Sequence, residues 1–168
     1  MNDQPFLQRL FQNILGSKKV SFSSPQEKIA PALNNEALSS AIAYNETAGV
    51  KDNPYQFSRP SGVKSLGNAI GKYQITQGEL DTWSPKFLGS KVDEETFKRF
   101  PGLQDTYMRE KANYLNTTYG WGPDKIIAAH RGGFGKPEEI DRIMKEHQSY
   151  VDQALNNYNN YKQVNLNK

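Results

Sequence analysis

The chain has 168 residues, of which 36% are hydrophobic and 11% aromatic, a combination that predicts one folded domain rather than two domains or a disordered chain. The absence of cysteine excludes disulfides, thiolate metal sites and a cysteine nucleophile, and the two histidines, His130 and His147, are too few to indicate a metal site, so we expect no metal and no cofactor. The 21 basic residues are dispersed among 18 acidic ones, which argues against nucleic-acid binding, and no apolar run approaches the roughly 18 residues of a transmembrane span.

The N-terminal residues 1–19 have apolar side chains at helical spacing and are predicted to form an amphipathic helix, an appendage to the main domain. Residues 20–34 contain Ser and Pro clusters and are predicted to be a linker. The helix then either docks on a partner or a membrane surface, or packs on the domain itself. We expect no signal peptide, because polar and acidic residues interrupt the apolar positions and no A-x-A-like cleavage site follows.

The compact domain is predicted to span residues 35–158 and to be mainly α-helical, because strand signals are weak and short. Helices are expected at residues 35–45, 101–119 and 124–130, with a last helix from about Pro137 to Tyr158. Residues 50–71 are dense in Pro, Gly, Ser and Asn and are predicted to be largely loop, and a loop this long is usually functional. The Asn-rich residues 159–168 are expected to form a flexible tail.

The first predicted helix runs into a glutamate, Glu46, on its own apolar side. Leu38, Ile42 and Glu46 are spaced four apart and therefore stack along one stripe of a helix. Gly49 is a plausible helix end, which puts Glu46 in the last turn, at the negative end of the helix dipole. Burial and the dipole both favour the protonated carboxyl that a general acid requires, whereas an ordinary boundary residue would keep its head in water.

Three segments occur in an order and at separations that resemble the lysozyme-like lytic transglycosylases. They are NETAG at residues 45–49, GNAIGKYQIT at 67–76 and AAHRGGFG at 128–135. These are similar to the family's E-S-G-G-like, G-L-M-Q-like and A-Y-N-A-G-like segments, and residues 100–115 resemble its helix with a Q-x3-A-like pattern. The G-K-Y-Q-I form is closest to versions carried by phage virion proteins. The resemblance covers about residues 35–155 and implies a lysozyme-like fold.

The resemblance also implies an activity: cleavage of peptidoglycan strands at the β-1,4 bond between N-acetylmuramic acid and N-acetylglucosamine, with Glu46 as the catalytic residue. In such enzymes one glutamate protonates the glycosidic oxygen and then deprotonates the muramoyl C6 hydroxyl, which leaves a 1,6-anhydro end. The implied place of action is the cell wall, outside the cytoplasm. The chain would be carried by a virion or another particle, with the predicted helix at residues 1–19 docking on a virion or secretion-apparatus protein.

Six further residues are predicted to contact the substrate: Thr47, Tyr73, Gln74, Tyr119, His130 and Arg131. The Thr47 hydroxyl either orients the substrate or caps the helix end, and Gln74 either binds an N-acetyl or backbone group or serves as a structural amide. Tyr73, Tyr119 and Trp121 either stack on sugar faces or belong to the core.

The third segment departs from the family pattern, because His130 and Arg131 stand where the family usually has Tyr-Asn. The family tyrosine lies close to the catalytic acid, so another residue is expected to take its place. The candidates are His130, Tyr44, Tyr73 and Tyr119. A positive charge at Arg131 close to Glu46 would favour the ionised carboxylate and so oppose the effect of burial.

Two other functions remain open. A hydrolytic muramidase on the same fold would need a second carboxylate at about 5 to 9.5 Å from Glu46, and the candidates are Asp52, Glu79 and Asp81. The chain could instead be a structural component of a virion or secretion machine that binds glycan without turnover, since a fold does not by itself establish activity.

Overall fold

The computed structural model of the protein describes residues 32–48, 50, 52–133 and 136–166. Within these residues the chain forms seven α-helices, three single turns of 3-10 helix and one small sheet. The predicted mainly α class is therefore confirmed. The predicted helix at residues 1–19 and most of the predicted linker lie outside the described residues.

All three strands of the sheet lie in one stretch of the chain, between the first two helices. The helices are α1 (Asn35–Thr47), α2 (Gln77–Leu88), α3 (Glu94–Arg99), α4 (Pro101–Tyr119), α5 (Pro123–Gly132), α6 (Ile140–Glu146) and α7 (Gln148–Leu166). The strands are β1 (Ser58–Pro60), β2 (Asn68–Ile70) and β3 (Ile75–Thr76). They pair antiparallel in the order β1-β2-β3, with Ser58 opposite Ile70 and Ala69 opposite Thr76.

Helix α1 begins at a side-chain cap and presents one buried stripe to the core. The Asn34 side chain accepts a hydrogen bond of 2.9 Å from the Ala37 backbone N–H, which satisfies one of the free donors of the first turn. Leu38 and Ile42 are fully buried, and Glu46 continues their stripe at the helix end. The predicted stacking of these three side chains is therefore confirmed.

The prediction of a loop over residues 50–71 missed β1 and β2. Three-residue strands are too short to show the alternation by which a strand is recognised in sequence. Their stability comes from pairing with each other and with β3. The Gly71 N–H also donates to the Phe57 carbonyl at 2.6 Å, just beyond the last pair of the β1-β2 ladder.

The C-terminal helical region differs from the prediction in two ways. A 3-10 turn (Pro137–Glu139), α6 and α7 replace the single predicted helix, with a break at His147. Helix α7 continues to Leu166, so residues 159–166, which were expected to belong to a flexible tail, form part of a helix. The reason is a packing face that continues past Ala154, because Tyr158 is buried and Tyr161 packs against the core one turn later.

Tyr158→Ala tests whether this extension belongs to the domain. Tyr158 is buried, so its truncation should lower the free energy of unfolding by about 3 kcal/mol, as for other large-to-alanine core changes. Urea denaturation followed by circular dichroism measures this. The exposed Val164→Ala on the same helix is the control and should change the stability by less than about 0.5 kcal/mol. Equal small effects of the two substitutions would contradict the packing described.

Candidate active site

A cleft of about 1040 Å³ opens between the small sheet and the helices. This volume is at the upper end of the roughly 300 to 1000 Å³ of ligand-binding pockets. The three segments singled out in the sequence all contribute to its lining, through Glu46, through Ala69 and Gln74, and through His130 and Arg131. Residues that are far apart in the chain thus meet at one surface.

Glu46 lies in the last turn of α1 with only 5% of its side chain exposed. One carboxylate oxygen, Oε1, accepts a hydrogen bond of 2.7 Å from the Tyr150 hydroxyl. The other, Oε2, lies 3.4 Å from Nη2 of Arg59. The carboxylate is thus nearly buried, and each of its two oxygens has a polar partner. A buried acid is tolerated under this condition.

Tyr150 was not among the residues expected beside the acid. It lies on α7, 104 residues from Glu46, and belongs to none of the three segments, so no local pattern indicates it. Burial, followed by the negative charge of Glu46, raises the pKa of the Tyr150 hydroxyl well above its ordinary value. The hydroxyl therefore stays protonated and acts as a permanent donor to Glu46.

The tyrosines proposed for this place lie elsewhere. Tyr44 is 50% exposed, the Tyr73 hydroxyl donates to Asp105 at 2.7 Å, and Tyr119 contacts Tyr114. The expectation that one of Tyr44, Tyr73 and Tyr119 partners the acid is therefore wrong. His130, the other candidate, does lie beside Glu46, but its Nε2 is 3.9 Å from Oε1, longer than a hydrogen bond.

Arg59 is a second residue that the sequence reasoning missed, because it lies on β1, in the stretch read as a loop. Its side chain is 48% exposed, and its Cζ lies 6.0 Å from the centre of the Phe57 ring. An ion pair with one half-exposed partner contributes little to stability. Because about half of its side chain is exposed, Arg59 has room to move away from Glu46 when a ligand enters the cleft and itself provides polar contacts to the carboxylate.

His130 is buried at the end of α5 and is uncharged at neutral pH. Burial lowers its pKa well below the usual range, and the positive charges of Lys111 and Arg131 lower it further. Its Nδ1 is buried and has no hydrogen-bond partner among the described residues. The contact with Glu46 is consequently not an ion pair, and His130 adds no positive charge to the site.

Arg131 lines the cleft beside His130 but does not neutralise Glu46. Its Cζ lies 5.2 Å from the centre of the Tyr150 ring, a cation–π contact. Among the described residues the ion pair to Glu46 is made by Arg59 instead. Arg131 and Glu46 instead contact the same side chain, Tyr150.

Gln74 lines the cleft in a strained conformation. Its φ is +52°, in the left-handed region that residues with a side chain rarely adopt. Its amide Nε2 donates to the Gly71 carbonyl at 2.8 Å, while its Oε1 is buried without a partner in the described chain. One half of the amide is thus structural, and the other half is a buried acceptor without a partner among the described residues.

The turn that carries Gln74 is fixed by a buried amide on α4. The Gln104 Oε1 accepts from the Lys72 N–H at 2.9 Å, and its Nε2 donates to the carbonyls of Tyr55 and Phe97, both at 2.9 Å. Gly71 has a φ of +72°, and a Cβ there would overlap the Gln104 amide. Only glycine fits at this position, and this explains why the G-K-Y-Q segment begins with glycine.

Tyr73 also holds this turn rather than facing the cleft. It is fully buried, and burial and the hydrogen bond to Asp105 raise the pKa of its hydroxyl. Lys72 lies between two rings, with Nζ 5.0 Å from the centre of the Tyr55 ring and 5.2 Å from that of Tyr73. Of the two roles considered for Tyr73, the geometry supports the core role.

Thr47, Tyr119 and Trp121 do not line the cleft. The Thr47 hydroxyl donates to the Ala43 carbonyl at 2.7 Å, so it serves the helix end. The rings of Tyr119 and Trp121 lie 5.0 Å apart, and Trp121 is buried. An aromatic residue that does line the cleft is Trp83, on α2, which no motif indicated.

The candidate second carboxylates differ in their surroundings. Glu79 lines the cleft, but its Oε1 lies 2.6 Å from Nζ of the fully buried Lys111 and accepts from the Tyr107 hydroxyl at 3.1 Å. Asp81 is exposed, accepts from Gln77 at 2.6 Å and does not line the cleft. Asp52 is exposed in an adjoining hollow of about 590 Å³ that Glu46 also lines.

No group of three or more His, Asp or Glu side chains among the described residues is placed to hold a metal ion. No helix among these residues is both long enough and apolar enough to cross a membrane.

Gly132, at the end of α5, allows two helices to approach closely. A Cβ at this position would overlap the Ile143 side chain on α6. The glycine-rich segment after His130 therefore serves helix packing at this position, while Phe134 and Gly135 lie outside the described residues.

No protein-family model, curated protein or solved structure matches the chain significantly.

The low pKa of His130 predicts a pH-dependent stability. The unfolded chain binds a proton at His130 near pH 6.5, whereas the folded state resists it. The free energy of unfolding should therefore fall as the pH decreases below about 6.5, by up to about 1.4 kcal/mol per pH unit, until the native His130 is protonated. Urea denaturation between pH 7.5 and pH 5 measures the slope. His130→Gln should flatten it and the control His147→Gln should not, and an unchanged slope in His130→Gln would contradict the assignment.

Gly71→Ala should destabilise the fold strongly. The substitution adds strain at positive φ, roughly 1 kcal/mol, and displaces the buried Gln104 amide from its partners, which costs about 2 kcal/mol more. Gly89→Ala is the matched control, because Gly89 has a φ of +78° but open space where its Cβ would lie. A difference of about 2 kcal/mol in denaturation free energy between the two variants is expected. Equal effects would mean that the Gln104 contact is unimportant.

Proposed function

We propose that the protein is a lytic transglycosylase with a lysozyme-like fold, which cleaves peptidoglycan between N-acetylmuramic acid and N-acetylglucosamine and leaves 1,6-anhydro ends. The observation that carries the proposal is the nearly buried Glu46 carboxyl at a helix end, beside a large cleft that all three matching segments line. The enzyme would act outside the cytoplasm on the cell wall, carried by a virion or another particle.

In the first step Glu46 acts as the acid. Its Oε1 is occupied by the Tyr150 hydroxyl, so Oε2 is the oxygen that carries the proton once Arg59 moves aside. The proton passes to the glycosidic oxygen, the C1–O bond of the muramoyl residue breaks, and an oxocarbenium-like centre forms at C1. The N-acetylglucosamine side leaves as an alcohol.

In the second step the Glu46 carboxylate acts as the base. It takes the proton from the muramoyl C6 hydroxyl, and O6 attacks C1 to close the 1,6-anhydro ring. No water is consumed, and Glu46 returns to its protonated form. The Tyr150 hydroxyl supports the intermediate stage, because a hydrogen bond to a carboxylate stabilises its charged form.

A single-carboxylate mechanism is favoured by the surroundings of the other acids. The Glu79 carboxylate is held by Lys111 and Tyr107, so it is not available to a sugar intermediate. Asp81 does not line the cleft. Asp52 supports the second candidate function, a hydrolytic muramidase, because it shares a hollow with Glu46 and could hold a water on that side.

Glu46→Gln tests the proposal. Loss of the acid should reduce release of soluble fragments from purified peptidoglycan by about 100-fold or more. The thermal midpoint should stay unchanged or rise, because an acid placed for chemistry is not placed for stability. The control is Glu36→Gln, an exposed glutamate in the first turn of the same helix, which should retain full activity.

Two results would contradict the proposal. Glu46→Gln could retain more than about a tenth of the wild-type rate, which would exclude Glu46 as the acid. Alternatively, the wild type could release nothing from walls of several chemical types, which would favour a glycan-binding structural component.

A further inference from the structure

The charged groups that line the cleft leave one cation without an acidic partner. Those among the described residues are Glu46, Arg59, Glu79, Arg131, Glu139 and Arg142. Arg59 pairs with Glu46, and the buried Lys111 pairs with Glu79. Arg142 pairs with two carboxylates, Glu139 at 3.2 Å and Glu146 at 2.6 Å. Arg131 has no acidic partner within this part of the chain. Arg131 is therefore the cation at the cleft whose guanidinium is not held by a carboxylate of the described residues.

Arg131 has two structural contacts, and neither uses its hydrogen-bond donors. It lies in the last turn of α5, where a cation is favoured by the helix dipole, and it stacks on the Tyr150 ring. A guanidinium has five N–H donors in a planar fork that matches a carboxylate. Among the described residues no acceptor for those donors is found, and the side chain is exposed to the cleft.

The position of Arg131 relates this charge to the candidate acid. Its Cζ is 5.2 Å from the centre of the Tyr150 ring, and the Tyr150 hydroxyl donates to Glu46 at 2.7 Å. The guanidinium and the carboxyl group thus contact the same tyrosine, one at its ring and the other at its hydroxyl. A sugar chain bound for cleavage at Glu46 would bring its nearest substituents to Arg131.

We propose that Arg131 binds a carboxylate of the glycan strand next to the bond that is cleaved, and that it thereby selects for muramic-acid-containing strands. This rests on the proposed function. N-acetylmuramic acid carries a lactyl group on O3, whose carboxylate is free when the stem peptide is absent. When the peptide is present, that group is an amide and the carboxylates lie along the peptide. Both sources offer the same carboxylate to the guanidinium fork.

The test compares matched substrates that differ only in charge. Glycan strands stripped of their stem peptides are used with free lactyl carboxylates and after conversion of these to methylamides. Strands that retain their peptides are prepared in the same two forms. The ratio of kcat/KM for the carboxylate form to that for the methylamide form is measured for the wild type and two variants, Arg131→Gln and Arg99→Gln.

Arg99→Gln is a close control. Arg99 is exposed in the last turn of α3, its Cζ lies 5.6 Å from the centre of the Phe100 ring, and it does not line the cleft. Its replacement changes the net charge, a helix-end charge and a cation–π contact in the same way as Arg131→Gln. Only the relation to the cleft differs.

The wild type and Arg99→Gln should favour the carboxylate form by about tenfold, as expected for one charged hydrogen-bonded pair, and Arg131→Gln should bring the ratio close to one. The strand type in which the ratio collapses identifies the lactyl or the peptide carboxylate. A wild-type ratio near one, or a tenfold ratio retained in Arg131→Gln, would overturn the inference.

If the wild type cleaves none of these strands, the proposed function fails. A binding measurement then tests, independently of cleavage, whether Arg131 recognises a carboxylate. The probe is the disaccharide GlcNAc–MurNAc, with and without a stem dipeptide, titrated as carboxylate and as methylamide in NMR experiments. A tenfold preference for a carboxylate form that disappears in Arg131→Gln would support the inference. Equal binding of the two forms, or no binding, would overturn it.

Discussion

The hydrogen bond between the Tyr150 hydroxyl and the Glu46 carboxylate is the contact on which the arrangement of the site depends. It joins the end of α1 to the start of α7, and Asn45 reinforces the junction by accepting from Asn157 at 2.9 Å. A nearly buried carboxyl requires polar partners, and this pair of helices supplies a permanent donor. Because His130 is neutral, the only cation paired with Glu46 within the described chain is the half-exposed Arg59, which a ligand can displace.

The opposite wall of the cleft depends on a second buried polar group, the Gln104 amide. It satisfies three backbone groups and holds the turn in which Gly71 and Gln74 have positive φ. Strain of this kind persists only where the surrounding structure enforces it, and it is common at functional sites. Gln74 and His130 line the same cleft. Each has a buried polar atom without a partner in the described chain, Oε1 in Gln74 and Nδ1 in His130.

Local sequence signals predicted the parts of this structure that local forces determine. The stripe ending at Glu46 follows from four-residue spacing, and the bounds of α4 follow from Pro101 and Gly120. Tyr150 and Arg59 were missed because their contacts with Glu46 are made through the tertiary fold. The short strands and the continuation of α7 were missed for the same reason, since pairing and the packing of Tyr158 stabilise them more than their composition indicates.

In the proposed mechanism Glu46 works without a second carboxylate and without water. The most direct test of this mechanism is mass spectrometry of the new glycan ends formed when the wild-type protein digests peptidoglycan in water enriched in oxygen-18. The proposed mechanism should give 1,6-anhydromuramoyl ends, lighter than reducing ends by one water and free of the heavy isotope. Reducing ends that contain oxygen-18 would contradict it, and would identify a hydrolase in which an acid such as Asp52 activates water.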